Sequence, residues 1–197
     1  MKKGPLPLHS FDDLFRKDRP DAGRQAGAQT LAAIDKALAP ILGPGKYAQQ
    51  SMYTDLYLVP GALDRLRANP EATAAVLDTL LAMPGIAHAF PAEEIARKAA
   101  REGADPIKQA AAFSYHPSRS GDLIIVPKPH WMLSTSSATT HGTLYPYDQR
   151  VPVIFYGPGV RAGLRDDRAT PADIAPTVAR LAGFSFRAPA GRTHQLK

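Results

Sequence analysis

Hydrophobic positions change period several times along the chain, and each change marks an element. Leu31, Ile34, Leu38, Ile41 and Leu42 recur at helical spacing and stop at Gly43-Pro44-Gly45, which predicts an amphipathic helix with one buried face. Over 46–59 the side chains become aromatic, β-branched and aliphatic, and Pro60-Gly61 closes the run, so a strand is expected. Helical spacing returns over 63–83, with Leu63 and Leu66 before Pro70 and Val76, Leu77, Leu80 and Leu81 after it. Proline is tolerated in a first helical turn and not in an interior, so Pro70 is expected to open a second helix. Pro84-Gly85 ends it, 86–90 reads as a short strand, Pro91-Ala92-Glu93-Glu94 opens a helix running to about Glu102, and Asp105-Pro106 opens another.

From Gly121 the pattern changes again. Leu123-Ile124-Ile125-Val126 is an unbroken apolar run, the mark of a strand covered on both faces, and 151–156 is a second such run closed by Gly157-Pro158-Gly159. About 25 residues rich in Ser, Thr, Tyr and His separate the two, and a long loop in a compact domain is a first place to look for chemistry. The last helix has the fullest set of signals: Thr170 as N-cap, Pro171 in the first turn, Asp173 completing the capping pattern, Ile174, Val178 and Leu181 on one face, and Gly183 at the C-terminus. These elements predict three parts: a leading loop and core helix over 1–45, a compact α+β unit over 46–115, and C-terminal strands and a helix over 116–197. Leu123, Ile125, Val153, Phe155, Ile174, Val178 and Leu181 are expected to be buried together. The Leu31, Ile34 and Leu38 face is expected to lack its full complement of sheet strands and, in a truncated chain, to expose a large apolar patch.

Composition narrows the chemistry. The 197 residues contain no Cys, which excludes disulfides, thiolate nucleophiles and thiolate metal sites. No apolar stretch reaches the roughly 20 residues needed to cross a bilayer, and the opening residues lack the apolar core of an export signal. The net charge of +6 would suit a polyanion if clustered, but Arg180, Arg187, Arg192 and Lys197 supply four of the six and the body is nearly neutral. No nucleic-acid or membrane partner is expected.

The six His residues, at 9, 88, 116, 130, 141 and 194, contain no i, i+4 pair, so any metal site must be assembled over distance. His141 stands out because Gly142 follows it and both lie in the long loop; the competing reading is a solvated loop histidine. Ser134, Ser136 or Ser137 with His141 and Asp148 would make a Ser-His-Asp set, yet no G-x-S-x-G turn presents the serine. Gly157-Pro158-Gly159 lacks the layout and the amide of a phosphate loop and reads as a turn. Arg119 either faces an anion or pins its turn by pairing with Asp122, with Gly121 supplying an unusual backbone angle. Tyr145, Tyr147 and Asp148 either form a substrate rim or pack the loop, and Asp148 could orient a ligating imidazole.

Thr140-His141-Gly142-Thr143-Leu144-Tyr145-Pro146-Tyr147-Asp148, then Val151-Pro152-Val153-Ile154-Phe155-Tyr156-Gly157-Pro158-Gly159 and Thr170-Pro171-Ala172-Asp173-Ile174-Ala175-Pro176-Thr177, resemble in order and spacing the C-terminal part of the alkaline phosphatase superfamily. The likeness is to its PafA-like phosphatase and type I phosphodiesterase/nucleotide pyrophosphatase branches, and Arg119-Ser120-Gly121-Asp122 before an apolar strand fits too. The resemblance is strong over 113–184 and weaker over 22–112. It implies an α/β fold, a partial alkaline-phosphatase-like α/β/α core with 46–115 as an inserted α+β cap-like unit. It also implies a hydrolase of phosphate monoesters or diesters, with two zinc ions flanking the reacting phosphorus, a Thr or Ser nucleophile, and a small phosphate ester as partner. In that scheme His141 is a zinc ligand. The family's nucleophile, its Asp-x-x-x-His pair and its Asp-His-Gly motif have no counterpart here, and one His cannot hold a catalytic zinc. The expectation is therefore a truncated product, or a chain that acts with a missing N-terminal segment and is inactive alone. A non-catalytic binding or interaction module built on the same fold is the alternative. Such enzymes are usually periplasmic or exported, and this chain shows no signal peptide.

Overall fold

The structure, a computed structural model, describes residues 19–98, 105–137, 139–187 and 191–196. Helix α1 (Gly27–Leu42) buries Thr30, Ile34 and Leu38, one residue per turn, with Leu31, Ile41 and Leu42 packed against the same core. Its last carbonyls are orphaned where the chain leaves at Gly43, and the Arg65 guanidinium donates to Leu42 O at 2.6 Å. Asp35, on this helix, accepts the N–H groups of Tyr47 (2.7 Å) and Ala48 (2.8 Å), fixing the start of the sheet against α1.

The run over 46–59 forms two strands rather than one. β2 (Ala48–Met52) and β3 (Asp55–Leu58) make a tight hairpin whose turn is Tyr53-Thr54, with Tyr53 at a left-handed φ of 56°. Helix α2 (Ala62–Ala68) is followed by α3 (Pro70–Leu81), and Pro70 opens α3 behind an Asn69 side chain that caps Ala72 N at 3.1 Å. β4 (Ile86–Pro91) leads into α4 (Ala92–Lys98); the expected end near Glu102 lies outside the described residues. Helix α5 (Pro106–Ser114) starts at an Asp105 cap. β5 (Leu123–Pro127) is buried along its whole length.

The sheet order is β2-β3-β5-β4, with every neighbouring pair antiparallel. β5 is therefore an inner strand of the same sheet as β2, β3 and β4, although the sequence pattern assigned 116–197 to a separate C-terminal part. Ile34, Leu38, Leu56, Val76, Leu80, Ile86, Leu123 and Ile125 form the core between this sheet and helices α1 and α3. Burying each such aliphatic side chain stabilises the fold by about 1.5–3 kcal/mol. The Leu31, Ile34 and Leu38 face is thus covered, not exposed as expected, because α3 and β2 lie across it. A small parallel pair, β1 (Gly23–Arg24) with β6 (Trp131–Met132), completes this part, together with a single helical turn α6 (Pro146–Gln149).

The chain divides into two compact units, Met1–Gln149 and Arg150–Lys197. Within the second, 151–156 is not a strand among the described residues. Val153 and Phe155 are half-buried, while Ile154 and Tyr156 are 83% and 99% exposed. An apolar run becomes a buried strand only with a neighbour to satisfy its backbone and a layer to cover it, and no described segment of this unit supplies either. A 3-10 turn (Pro171–Asp173) runs into α7 (Ile174–Leu181), which ends at Gly183 with φ 78°, close to the expected limits. Its burial differs from expectation. Ile174 and Val178 are exposed and Leu181 half-buried, whereas Pro176 and Thr177 are buried, so the helix face predicted to be apolar and covered is not the buried one within this unit. The inner face of α7 meets the chain's end instead: Thr177 Oγ1 accepts His194 N at 3.0 Å.

Candidate functional site

The His141 loop is positioned by the first unit. At the tip of the β2–β3 hairpin the Tyr53 phenol donates to His141 O at 2.5 Å. Gly142 has φ 97°, a left-handed angle that favours glycine, while a Cβ there would only reach ordinary contact with the Tyr53 ring, at 3.4 Å. One residue on, Thr143 N donates to Asp148 Oδ2 at 2.9 Å. The peptide groups on both sides of Gly142 are thereby fastened, one by a phenol and one by a carboxylate. His141 itself is exposed and does not line the cavity of about 530 Å³ between α2, α3, α4 and the 115–123 segment.

Aromatic rings pack beside this loop. Tyr145 and Tyr147 stack at 5.6 Å, and His130 stacks on Tyr147 at 5.2 Å. The Tyr145 phenol donates to Pro127 O at 2.9 Å, and Tyr147 Oη accepts His130 N at 3.1 Å. Burial raises the pKa of Tyr53, and the nearby Asp148 and Tyr147 add to it, against a lowering hydrogen bond with Thr140. Burial, then Tyr147, raises that of Tyr145. Both phenols therefore remain neutral donors into alkaline solution.

Other candidates are placed apart from His141 or held in structural roles. Ser134 Oγ donates to Ser137 Oγ at 3.2 Å, and Arg24 clasps the carbonyls of Ser134 and Ser137, so this loop is tied to β1. No hydrogen bond links a serine to His141 among the described residues, and Asp148 holds Thr143 N rather than an imidazole. Arg119 does not pair with Asp122, whose carboxylate accepts Leu58 N at 2.8 Å; Arg119 O instead accepts the Tyr57 phenol. Gly121 is required for close approach, not for an unusual angle, since a Cβ would fall 2.7 Å from Leu56 O. The segment Gly157-Pro158-Gly159 is a turn.

Sequence reasoning missed two features. Tyr53 read as an ordinary strand residue, because its turn carries no Gly, Pro, Asn or Asp at the bend. Asp173, read only as a cap, also binds the chain's end: it accepts Thr170 N (2.9 Å) and Arg192 N (2.6 Å) and meets His194 Nε2 at 3.0 Å. The His194 contact first, then the Arg192 and Thr170 amides, hold this carboxyl well below the usual carboxylate range.

An imidazole suits zinc, but no group of three or more His, Asp or Glu among the described residues could hold a metal ion. The described residues do not complete a zinc site by themselves.

No family model matches the chain. It is 30% identical over 188 residues to the alkaline phosphatase PhoK of Sphingomonas sp, covering 88% of this chain and 33% of that protein. It is 32% identical over 112 residues to the alkaline phosphatase PafA of Elizabethkingia meningoseptica, covering 56% of this chain and 20% of that one. A crystal structure of wild-type PafA superposes with a TM-score of 0.70 at 23% identity, over 86% of this chain and 32% of that chain. The mixed helix and strand fold is thus PafA-like, and the chain spans about a third of the length of PhoK.

Proposed function

We propose, on the premise that this chain is related to alkaline phosphatases over part of their length, that it supplies the C-terminal scaffold and one metal-ligating imidazole, His141, to a phosphate-ester hydrolase. The observation that carries the reading is the double fastening of the His141 loop. The Tyr53 phenol holds the His141 carbonyl and Asp148 holds the Thr143 amide, which fixes the backbone under an exposed imidazole. A loop histidine with no role beyond solvation needs no such clasp. Zinc is the metal we assign, two ions in a complete enzyme, because imidazole with carboxylates is a donor set it favours. The substrate is a small phosphate ester, with monoesters ahead of diesters and nucleotide pyrophosphates.

The remaining ligands and the nucleophile are assigned to a further alkaline-phosphatase-like segment. Two facts support this: relatives are about three times as long, and the second unit exposes Val151, Ile154, Tyr156, Leu164, Phe184 and Phe186. Val151, Ile154, Tyr156 and Leu164 line one open groove, the kind of exposed apolar surface that a partner segment covers. No helix among the described residues is long and apolar enough to cross a membrane; an exported location is proposed from the relatives. Purified 1–197 with zinc is expected to show no turnover of p-nitrophenyl phosphate, and zinc-dependent turnover would overturn the incomplete-site reading. The alternative, a non-catalytic binding module, is favoured if an alkaline-phosphatase-like partner segment restores neither zinc binding nor hydrolysis.

A further inference from the structure

We infer that His130, Tyr147 and Tyr145 form a stacking platform that takes a planar aromatic group, the organic half of an aryl or nucleoside phosphate ester. The phosphate half of that ligand rests on the hydrolase reading; the stacking half stands on its own geometry.

The three rings are nearly parallel, at 16° and 18°, with centroid separations of 5.2 and 5.6 Å, within the range of offset stacking. Tyr147, between the other two rings, is 50% exposed, and His130 and Tyr145 are half-buried, so the stack lies open to solvent rather than inside the core. The rings are also fixed in place. Tyr145 is tied to Pro127 O, and Tyr147 to the His130 amide, so little conformational freedom remains to be lost when a ligand ring joins them.

Backbone strain converges on the same place. Among the described residues, Tyr53 and His130 are the non-glycine residues with left-handed φ, at 56° and 64°. Both act on one loop: Tyr53 holds the His141 carbonyl, and His130 both stacks on Tyr147 and donates to its oxygen. Such conformations persist where the surroundings over-determine them, and they cluster at ligand sites. Tyr145 and Tyr147 follow His141 by four and six residues in a turn that Asp148 closes back onto Thr143. A phosphate near His141 would thus have its organic group beside the platform. The chemistry selects for a flat π system and gives no preference for a branched alkyl group.

The test uses the full chain and NMR of the His130 and Tyr147 ring protons, with phenyl phosphate, phenol and isopropyl phosphate as probes. Phenyl phosphate and phenol are expected to shift those protons through ring currents, and isopropyl phosphate is not. Tyr147→Leu, which keeps an apolar side chain, should weaken phenol binding roughly three- to tenfold. His130→Gly, which accepts the left-handed angle, should weaken it as well, and Trp131 fluorescence checks that both variants are folded. The inference is overturned if neither aromatic probe shifts the rings, if isopropyl phosphate shifts them equally, or if both variants bind phenol as the wild type does. Phenol binding without any added effect of phosphate is expected, since this chain alone has no complete zinc site among its described residues to take the phosphate, and it supports the platform. Absence of zinc binding once an alkaline-phosphatase-like partner segment is supplied would count against the hydrolase reading alone. A confirmed phosphatase that binds phenyl and isopropyl phosphate equally would do the reverse.

Discussion

Replacing Tyr53 by Phe removes one atom from the His141 loop and leaves the ring that abuts Gly142 in place. The atom lost is the donor of the 2.5 Å bond to His141 O. A net intramolecular hydrogen bond contributes about 0.5–1.5 kcal/mol, so the equilibrium for opening the loop should rise roughly two- to twelvefold. Global stability should fall by no more than the same about 1.5 kcal/mol, because Tyr53 is a turn residue whose neighbours in β2 and β3 keep their pairing. The assay is hydrogen exchange at the Thr143 amide, which Asp148 protects in the closed loop. Faster exchange at Thr143 in Tyr53→Phe, with exchange in β5 unchanged, is the expected result. The phenol's raised pKa keeps it a donor in alkaline buffer, so the ratio of variant to wild-type rates should hold between pH 7 and 9. Equal Thr143 exchange in both proteins would refute the claim that Tyr53 fastens the loop.

Asp35→Ala strips the acceptor from two N–H groups on the buried residues Tyr47 and Ala48, and should cost about 2–4 kcal/mol, with Asp35→Asn recovering most of it. Denaturant unfolding followed at Trp131, the single tryptophan, measures both. Gly121→Ala drives a Cβ against the Leu56 backbone at the β3–β5 junction; a loss of about 1–3 kcal/mol or failure to fold is expected from the same measurement. Asp173 titrates below its ordinary 3.8 in the folded protein, so its hold on Arg192 and His194 is complete above about pH 4 and is lost as the pH falls through the folded value. The Arg192 amide shift should therefore stay constant from pH 6 to 4 and move only in stronger acid; release above pH 4 would contradict the assignment.

Local chemistry was legible in the sequence, and pairing across distance was not. Pro70 behind Asn69, Asp105 before Pro106, and Thr170 with Asp173 each start an element where the capping rules place one, because a cap depends on a few adjacent residues. Leu123–Pro127 is buried on both faces as its unbroken apolar run implies. Its neighbours β3 and β4 could not be read, since strand order depends on segments far apart in sequence. The 151–156 run carries the same signal as β5 but has no partner strand among the described residues, so its pattern alone did not make it a strand. The loop around His141 drew attention through its His-Gly pair. The residue that holds it, Tyr53, lies 88 positions earlier at a bend without turn-forming residues, and only the folded hairpin brings the two together.

The most direct test of the central claim is metal content and activity in a chimaera in which these 197 residues replace the matching third of Sphingomonas PhoK, compared with the same protein carrying His141→Ala. The account predicts a folded chimaera that binds zinc and hydrolyses p-nitrophenyl phosphate, and a variant that loses at least one zinc and most of its turnover. A folded chimaera that binds no zinc, or one whose zinc content and rate are unchanged by His141→Ala, would contradict it.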